Sequence, residues 1–368
     1  MRKPTRRRHG TVTIQHVAQQ AGVSAMTVSR VINRESNVRE STRASVLEAI
    51  ERLNYSPNTA ARSLAAGEAL HLGLLYANPS AAYLSQFLVG ALEGARRAGC
   101  HVVLESCGSE SADEQAEATR RFATSGVDGV ILPPPLSESM PVHHELAAAG
   151  MPVVTVAMGL PQPGALNVRI DDRAAAAAMT RHLLELGHRD IGFIVGHPNN
   201  TASAERLAGF RAALEEAGLD AEAAPTEQGY FTYRSGLVAA ERLLARDPRP
   251  TAIFASNDDM AAAAISVAHR QGLDVPRDVS VVGYDDTAPA TTVWPELTTV
   301  RQPVAAMAEA AVELLLTDLR ARRAETPTPG TEIVLEYDLV LRESSAPPPR
   351  TEKKKQGRTP GGRVGARG

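Results

Sequence analysis

From His71 onward the chain alternates short apolar runs with amphipathic stretches, and this alternation restricts its fold more than any other feature. The runs are residues 71–77, 102–105, 127–132, 153–156, 191–195, 252–255 and 279–282. Strands that alternate with helices pair in parallel and are joined by crossover helices. Roughly 280 residues exceed one comfortable sheet, which predicts two α/β lobes. The break at Pro161-Gln162-Pro163-Gly164 is the expected crossing between lobes, and residues 298–302 the expected return. In such sheets ligands bind beyond the carboxyl ends of the strands. Those ends carry Tyr76-Ala77-Asn78-Pro79-Ser80, Gly196-His197-Pro198-Asn199-Asn200, Ser256-Asn257-Asp258-Asp259 and Gly283-Tyr284-Asp285-Asp286. Paired donors and acceptors with scattered rings suit a hydroxylated ligand such as a sugar. Asp258 and Asp286 also read as caps of the helices that follow.

Upstream the period changes. Ile14, Val17, Ala18 and Ala21 fall at i, i+3, i+4 and i+7, with Thr13 placed as cap and Gly22 as terminator. Ser24 caps a second helix that turns Val28, Val31 and Ile32 inward and leaves Ala25, Met26, Thr27, Ser29 and Arg30 outside. A third helix from Ser41 is expected to bury Val46, Leu47, Ile50 and Leu53. A helix pair around a glycine turn is compatible with a plain three-helix core. The outer face favours DNA, because it is small, polar and nearly free of acid, and its arginine suits guanine in the major groove. Residues 58–67 favour helix and end at Gly67, yet are too short to hold a helix alone. A partner copy and the minor groove would order them, with Leu64 as an apolar wedge; the other reading is a frayed linker.

Charge sorts the same way. Residues 1–67 carry 11 Lys+Arg against 4 Asp+Glu, residues 68–344 carry 21 against 37, and residues 345–368 carry 7 against 1. A basic head on an acidic body points to a polyanion-binding module joined to something else. Cys100 and Cys107 are too few for a disulfide framework or zinc site and read as buried thiols. No apolar leader follows the basic opening and no window is long enough for a membrane span, so the expectation is a soluble, cytoplasmic chain without membrane contact. Nucleotide-binding glycine loops, His-Glu-x-x-His and Gly-x-Ser-x-Gly are all missing from the sequence, and adjacent carboxylates such as Asp258-Asp259 point apart. Catalytic residues, cofactor and metal are therefore not expected.

The run from Thr11 to Asn33, with Asn54-Tyr55-Ser56-Pro57-Asn58 and Ala61-Arg62-Ser63-Leu64, resembles the head of the lactose-repressor (LacI) family. The resemblance implies that Ala25, Met26 and Arg30 face bases, that Thr13, Ser24, Thr27, Ser29, Asn33 and Tyr55 lie near phosphates, and that Ala61 and Leu64 enter the minor groove. In the body, Ala204-Glu205-Arg206-Leu207-Ala208-Gly209-Phe210, Ser256-Asn257-Asp258 and Val281 to Asp286 resemble the family's effector domain, which is similar to periplasmic sugar-binding proteins. This puts Arg206, Asn257 and Asp285 in the effector pocket and Phe231 as a stacking ring, against a reading of Phe231 as core. The expected fold is thus an N-terminal three-helix helix-turn-helix head plus a two-lobed α/β effector domain. Its segments are a basic disordered arm (1–10), the head (11–57), a hinge helix (58–67), the effector-binding and dimerisation body (68–344) and a disordered basic tail (345–368). The tail lacks apolar heptads, so a homodimer rather than a tetramer is expected. The implied function is an operator-binding regulator, most simply a repressor, whose grip on double-stranded, pseudo-palindromic DNA is set by a small effector of the sugar class. The alternatives are a soluble sugar-binding receptor and a regulator that uses a purine-like corepressor.

Overall fold

The computed structural model describes residues 13–32, 38–53, 70–77, 79–108, 111–161, 163–326 and 328–349. Two compact units divide the chain, Met1–Ala69 and Leu70–Gly368. In the first, α1 (Ile14–Ala21), α2 (Ala25–Ile32) and α3 (Glu40–Arg52) enclose a small core of Val17, Ala18, Val28, Val31, Val46 and Ala49. Gly22 ends α1 at φ 68°, a left-handed conformation that glycine adopts without a Cβ penalty. Ser24 caps α2 by accepting the Thr27 amide at 3.1 Å. Leu47, expected in the core, is instead 49% exposed. Helical spacing explains the correction: Val46, Ala49, Ile50 and Leu53 complete one face at i, i+3, i+4 and i+7, and the residue beside Val46 turns about 100° away.

The second unit contains two six-stranded sheets. The first takes β1 (His71–Tyr76), β2 (His101–Ser106), β3 (Gly129–Leu132), β4 (Val153–Val156), β5 (Leu166–Ile170) and a late strand, β11 (Glu332–Leu335), in the order β11-β5-β4-β3-β1-β2 with every pair parallel. The second takes β6 (Ile191–Val195), β7 (Thr226–Gln228), β8 (Ala252–Ala255), β9 (Ser280–Asp285), β10 (Thr298–Arg301) and β12 (Asp338–Val340) in the order β12-β10-β9-β8-β6-β7. Only β12 runs antiparallel, against β10. The intervening helices are α4 (Ala81–Ala98), α5 (Ala112–Ala123), α6 (Met140–Ala148), α7 (Asp172–Glu185), α8 (Thr201–Glu216), α9 (Tyr233–Leu244), α10 (Asp258–Arg270), the short α11 (Ala288–Thr292) and α12 (Val304–Arg323). Strands covered by helices on both faces read as unbroken apolar runs, and β3 and β8 are buried throughout.

The first crossing between lobes differs from the expected place, while the return falls at the end of the expected stretch. Residues 161–164 connect β4 to β5 inside one sheet, where Val154 pairs with Leu166. The chain leaves the first lobe after Ile170, and Asp171 fixes the turn by capping α7 through the Ala174 amide at 2.9 Å. Residues 298–301 form β10, and the return follows at Gln302 before α12, which lies against α4, β3, β4 and β5. A third crossing, between β11 and β12, carries no sequence signal that separates it from a loop. Ser345 to Pro349, assigned to the tail, are also ordered: the Ala346 carbonyl meets His188 Nε2 at 2.8 Å and accepts from Ser280 Oγ at 3.0 Å. Within each sheet the connections reverse direction between β1 and β3 and between β6 and β8, and ligands of such folds bind at these switch points. Among the described residues no helix is long and apolar enough to cross a membrane.

Candidate functional site

A cavity opens between the lobes at both switch points. Pro79 and Ser80 follow β1, Pro134 and Pro135 follow β3, His197 and Asn200 follow β6, and Asn257 follows β8; Tyr83, Arg206, Phe231, Asp285 and Gln302 complete its polar and aromatic lining. All four body residues expected in the pocket, Arg206, Phe231, Asn257 and Asp285, are there.

Arg206 is buried and held by the protein through its Nε and Nη1. Its Nε donates to Asp172 Oδ1 at 2.7 Å, its Nη1 to the Ser256 carbonyl at 2.6 Å, and its guanidinium carbon lies 3.7 Å from the centre of the Tyr284 ring. Burial works against the charge, but Asp172, Tyr284 and Asp285 outweigh it and hold the guanidinium above its ordinary pKa. The same Asp172 oxygen accepts from the Tyr284 hydroxyl at 2.9 Å. A cation matched in this way fixes geometry and leaves little charge for a ligand to neutralise.

Asp285 lies 3.9 Å from Arg206 and accepts from Gln302 Nε2 at 2.6 Å. Burial pushes its carboxyl up to about 7, against the pull of Arg206 and Gln302. Asp258, from the Ser256-Asn257-Asp258 motif, is a buried brace, with Oδ2 accepting from the Thr287 amide at 2.7 Å and Oδ1 from Thr299 Oγ1 at 2.6 Å. Asp258 is thus not the cap of α10. Asn257 caps that helix by accepting the Met260 amide at 3.0 Å, and its Nδ2 donates to the Phe231 carbonyl at 3.0 Å. Asn257 therefore positions Phe231 as well as lining the cavity. Asp286, the other residue read as a cap, pairs with Arg301 and Arg342, each at 2.7 Å.

Backbone strain concentrates here. Ala157, Phe231 and Asp285 have φ of 56°, 59° and 115°, in the region where side chains clash with the backbone, and all three line the cavity. Gly196 lets the Phe231 ring in, since a Cβ there would overlap both that ring and the Ser203 hydroxyl.

Three polar atoms in or beside the cavity are buried without a partner among the described residues: Tyr83 Oη, Ser203 Oγ and Gln302 Oε1. Sequence reasoning did not single them out. Tyr83 lies in the first turn of α4, one turn beyond Ser80, which caps that helix. Gln302 lies at the return crossing. A polar residue at a lobe crossing is the signal that would have found it.

In the first unit, Met26 and Arg30 stand on the open side of α2, and Met26 is 66% exposed. Thr27 and Ser29 are half-buried beside them. Ala25, expected outside, leans partly against the core. Thr13 precedes α1, its amide donating to His16 Nδ1 at 3.1 Å, and Ser24 is exposed at the start of α2. α2 has no acidic residue in its first turn. Asn33, Tyr55, Ala61 and Leu64, with the whole of residues 58–67, lie outside the described residues.

A helix-turn-helix unit on a chain whose second unit is a two-lobed α/β binding module defines the class: a DNA-binding regulator that carries its own small-molecule receptor. Residues 13–58 match the model of bacterial regulatory proteins of the lacI family, and residues 180–345 that of the periplasmic binding protein-like domain. The chain is 36% identical over 309 residues to catabolite control protein A of Priestia megaterium, covering 83% of this chain and 91% of that protein. It is 35% identical over 343 residues to the HTH-type transcriptional repressor PurR of Salmonella paratyphi B, covering 92% and 98%. The solved complex of the transcriptional regulator CelR with cellobiose superposes with a TM-score of 0.69 at 33% identity, covering 91% of this chain and all of that one. The chain belongs to the lacI family of transcriptional regulators. It is a DNA-binding regulator under small-molecule control, and the receptor without DNA binding is set aside.

Proposed function

We propose that this chain represses transcription as a homodimer on a pseudo-palindromic operator, and that its cleft takes a neutral, hydroxylated effector of the sugar class. The observation that carries the ligand class is the pair of unpartnered polar atoms on lining residues, Tyr83 Oη and Gln302 Oε1, in a cavity also lined by the Phe231 ring, with Ser203 Oγ unpartnered beside that ring. Buried polar groups without partners cost free energy that a ligand hydroxyl recovers, and the C–H face of a sugar stacks on an aromatic ring. Arg206 is already matched by Asp172, which favours a neutral ligand over an anion. The similar regulator CelR is described in complex with cellobiose, a sugar, which supports the same class here.

On the DNA side, Arg30 and Met26 are the base-facing residues of α2, with Ala25 at their edge. Thr13, Ser24, Thr27, Ser29, Asn33 and Tyr55 serve the phosphates, and Ala61 with Leu64 the minor groove. A neutral apolar Met26 beside Arg30 suits a thymine methyl next to a guanine. Thermal-shift measurements on the full chain with neutral sugars, sugar phosphates and nucleobases test the ligand class, since a bound ligand raises the unfolding temperature by mass action. A neutral sugar is expected to raise it. A response confined to nucleobases would favour a purine-like corepressor instead.

A further inference from the structure

The residues just before Pro349 are fastened to the second lobe. Ser344 accepts the Thr298 amide through its Oγ at 2.8 Å and the Val281 amide through its carbonyl at 2.9 Å. Ser345 Oγ lies 2.9 Å from Thr298 Oγ1 and 3.2 Å from His182 Nε2. The Ala346 amide donates to Ser280 Oγ at 3.0 Å, and its carbonyl meets His188 Nε2 at 2.8 Å. Ser280 begins β9 and His188 precedes β6, so the fastening is at the strand ends opposite to the cavity. Among the described residues, none beyond Gln302 lines that cavity. The last stretch of the chain thus starts from a fixed point on the far side of the second lobe from the effector site.

Residues 350–368 carry four arginines and three lysines against Glu352 alone. Body arginines have carboxylates to pair with, as Arg97 has Glu309, Arg270 has Glu241 and Arg301 has Asp286. In the terminal stretch one carboxylate can match at most one of seven cations. The kind of cation changes too. Lysine occurs in this chain only at Lys3, Lys353, Lys354 and Lys355, and every Lys or Arg position between Lys3 and Lys353 is arginine. The ammonium group is a compact point charge, suited to phosphate without the planar geometry that reads a base. Duplex DNA carries one negative charge per roughly 1.7 Å of its axis, and cations that neutralise phosphates gain affinity by releasing counterions. A stretch of 19 residues spans at most about 65 Å, enough to follow several phosphates. Because the same chain binds DNA through its head, the stretch acts at a raised effective concentration of duplex.

We infer that residues 350–368 form a second DNA-binding segment, which grips the phosphates of duplex DNA without reading its sequence. Fluorescence anisotropy with a labelled random-sequence duplex, over a series of salt concentrations, tests it on the full chain and on a chain ending at Pro349. The shortened chain keeps Ser344, Ser345 and Ala346, so its melting temperature should match the parent's. It is expected to bind the random duplex about tenfold or more weakly at low salt. Its log affinity should also fall less steeply with log salt, by about 3 or more, since each phosphate contact adds about 0.9 to that slope and seven cations are removed. Replacing the three lysines together, Lys353→Gln, Lys354→Gln and Lys355→Gln, keeps the length and should flatten the slope by about 2–3. This variant decides alone if the shortened chain melts lower. Unchanged affinity and slope would overturn the proposal. So would tighter duplex binding by the shortened chain, the result expected if the cations rest on the acidic body. Binding to phosphatidylglycerol vesicles that needs residues 350–368, with no such need on duplex DNA, would overturn it as well.

Discussion

At Asp285 burial competes with a cation and an amide, and burial prevails, lifting the carboxyl from its ordinary 3.8 to about 7. Between those values the folded chain keeps a proton that the unfolded chain has released. The stability this group provides is therefore complete below about pH 4 and is lost as pH rises towards 7. A ligand hydroxyl donating to the carboxylate favours the charged form. Effector affinity should thus rise from pH 6 to pH 8, with proton release on binding at pH 6, as measured by calorimetry in buffers of different ionisation heat. Asp285→Asn should flatten the pH dependence, and proton uptake by the parent would contradict the assignment. On α2, Arg30→Ala should weaken operator binding by about 1–3 kcal/mol and random-sequence binding by less, in salt-matched titrations, if it reads a base. Arg206, Asn257 and Asp285 were readable because they stand in short motifs that resemble the family's effector domain, Arg206 on a helix and the other two at strand ends, and Phe231 because it lies where that family has a ring. Tyr83, Ser203 and Gln302 were not, because their convergence depends on where the chain changes lobes, and polar residues at such points look like ordinary loop or helix residues.

Elements were legible where their sequence is an unbroken apolar run, not simply where they are buried. β4, β6 and β8 begin and end where the apolar runs do, since strands sealed between helices need unbroken apolar sequence. β5, β7, β11 and β12 carry charged or polar residues on short or edge strands, and no run marks them. The mostly polar Thr-Thr-Val-Arg of β10 suits a connection by sequence, yet Thr298 and Thr299 are buried and hydrogen-bonded there. Close approaches between helices were equally silent. Gly90 on α4 lies so near the Ala305 carbonyl of α12, and Gly209 on α8 so near the Arg173 carbonyl of α7, that a Cβ would overlap either oxygen. Gly90→Ala and Gly209→Ala should each destabilise the body by about 1–3 kcal/mol in denaturant unfolding, because two packed helices must separate. An unchanged midpoint in both variants would mean that these helix pairs yield without cost.

For the whole molecule, the basic head and acidic body separate two tasks that must communicate. An effector that binds between lobes changes DNA affinity only if it prefers one of two body states, and the coupling equals that difference in affinity. The segment 58–67 is the proposed link, too short for a stable helix by itself. Leu64→Ala should therefore lower operator affinity and bending while the effector affinity of the free protein stays near the parent's, measured by anisotropy and calorimetry on the same preparation. Loss of effector affinity in this variant would place Leu64 in the receptor half instead.

Control of the head by the cleft is the core of the proposed function. It is tested most directly by the operator affinity of the parent and of Asp285→Ala at one fixed salt concentration, with and without a saturating cleft ligand, since salt alone shifts such affinities strongly. The parent's affinity should change by about fivefold or more when the cleft is filled, within the usual range of allosteric coupling. Asp285→Ala should bind the operator as tightly as the unliganded parent and fail to respond. A parent whose operator affinity is the same with the cleft empty and saturated would contradict the account.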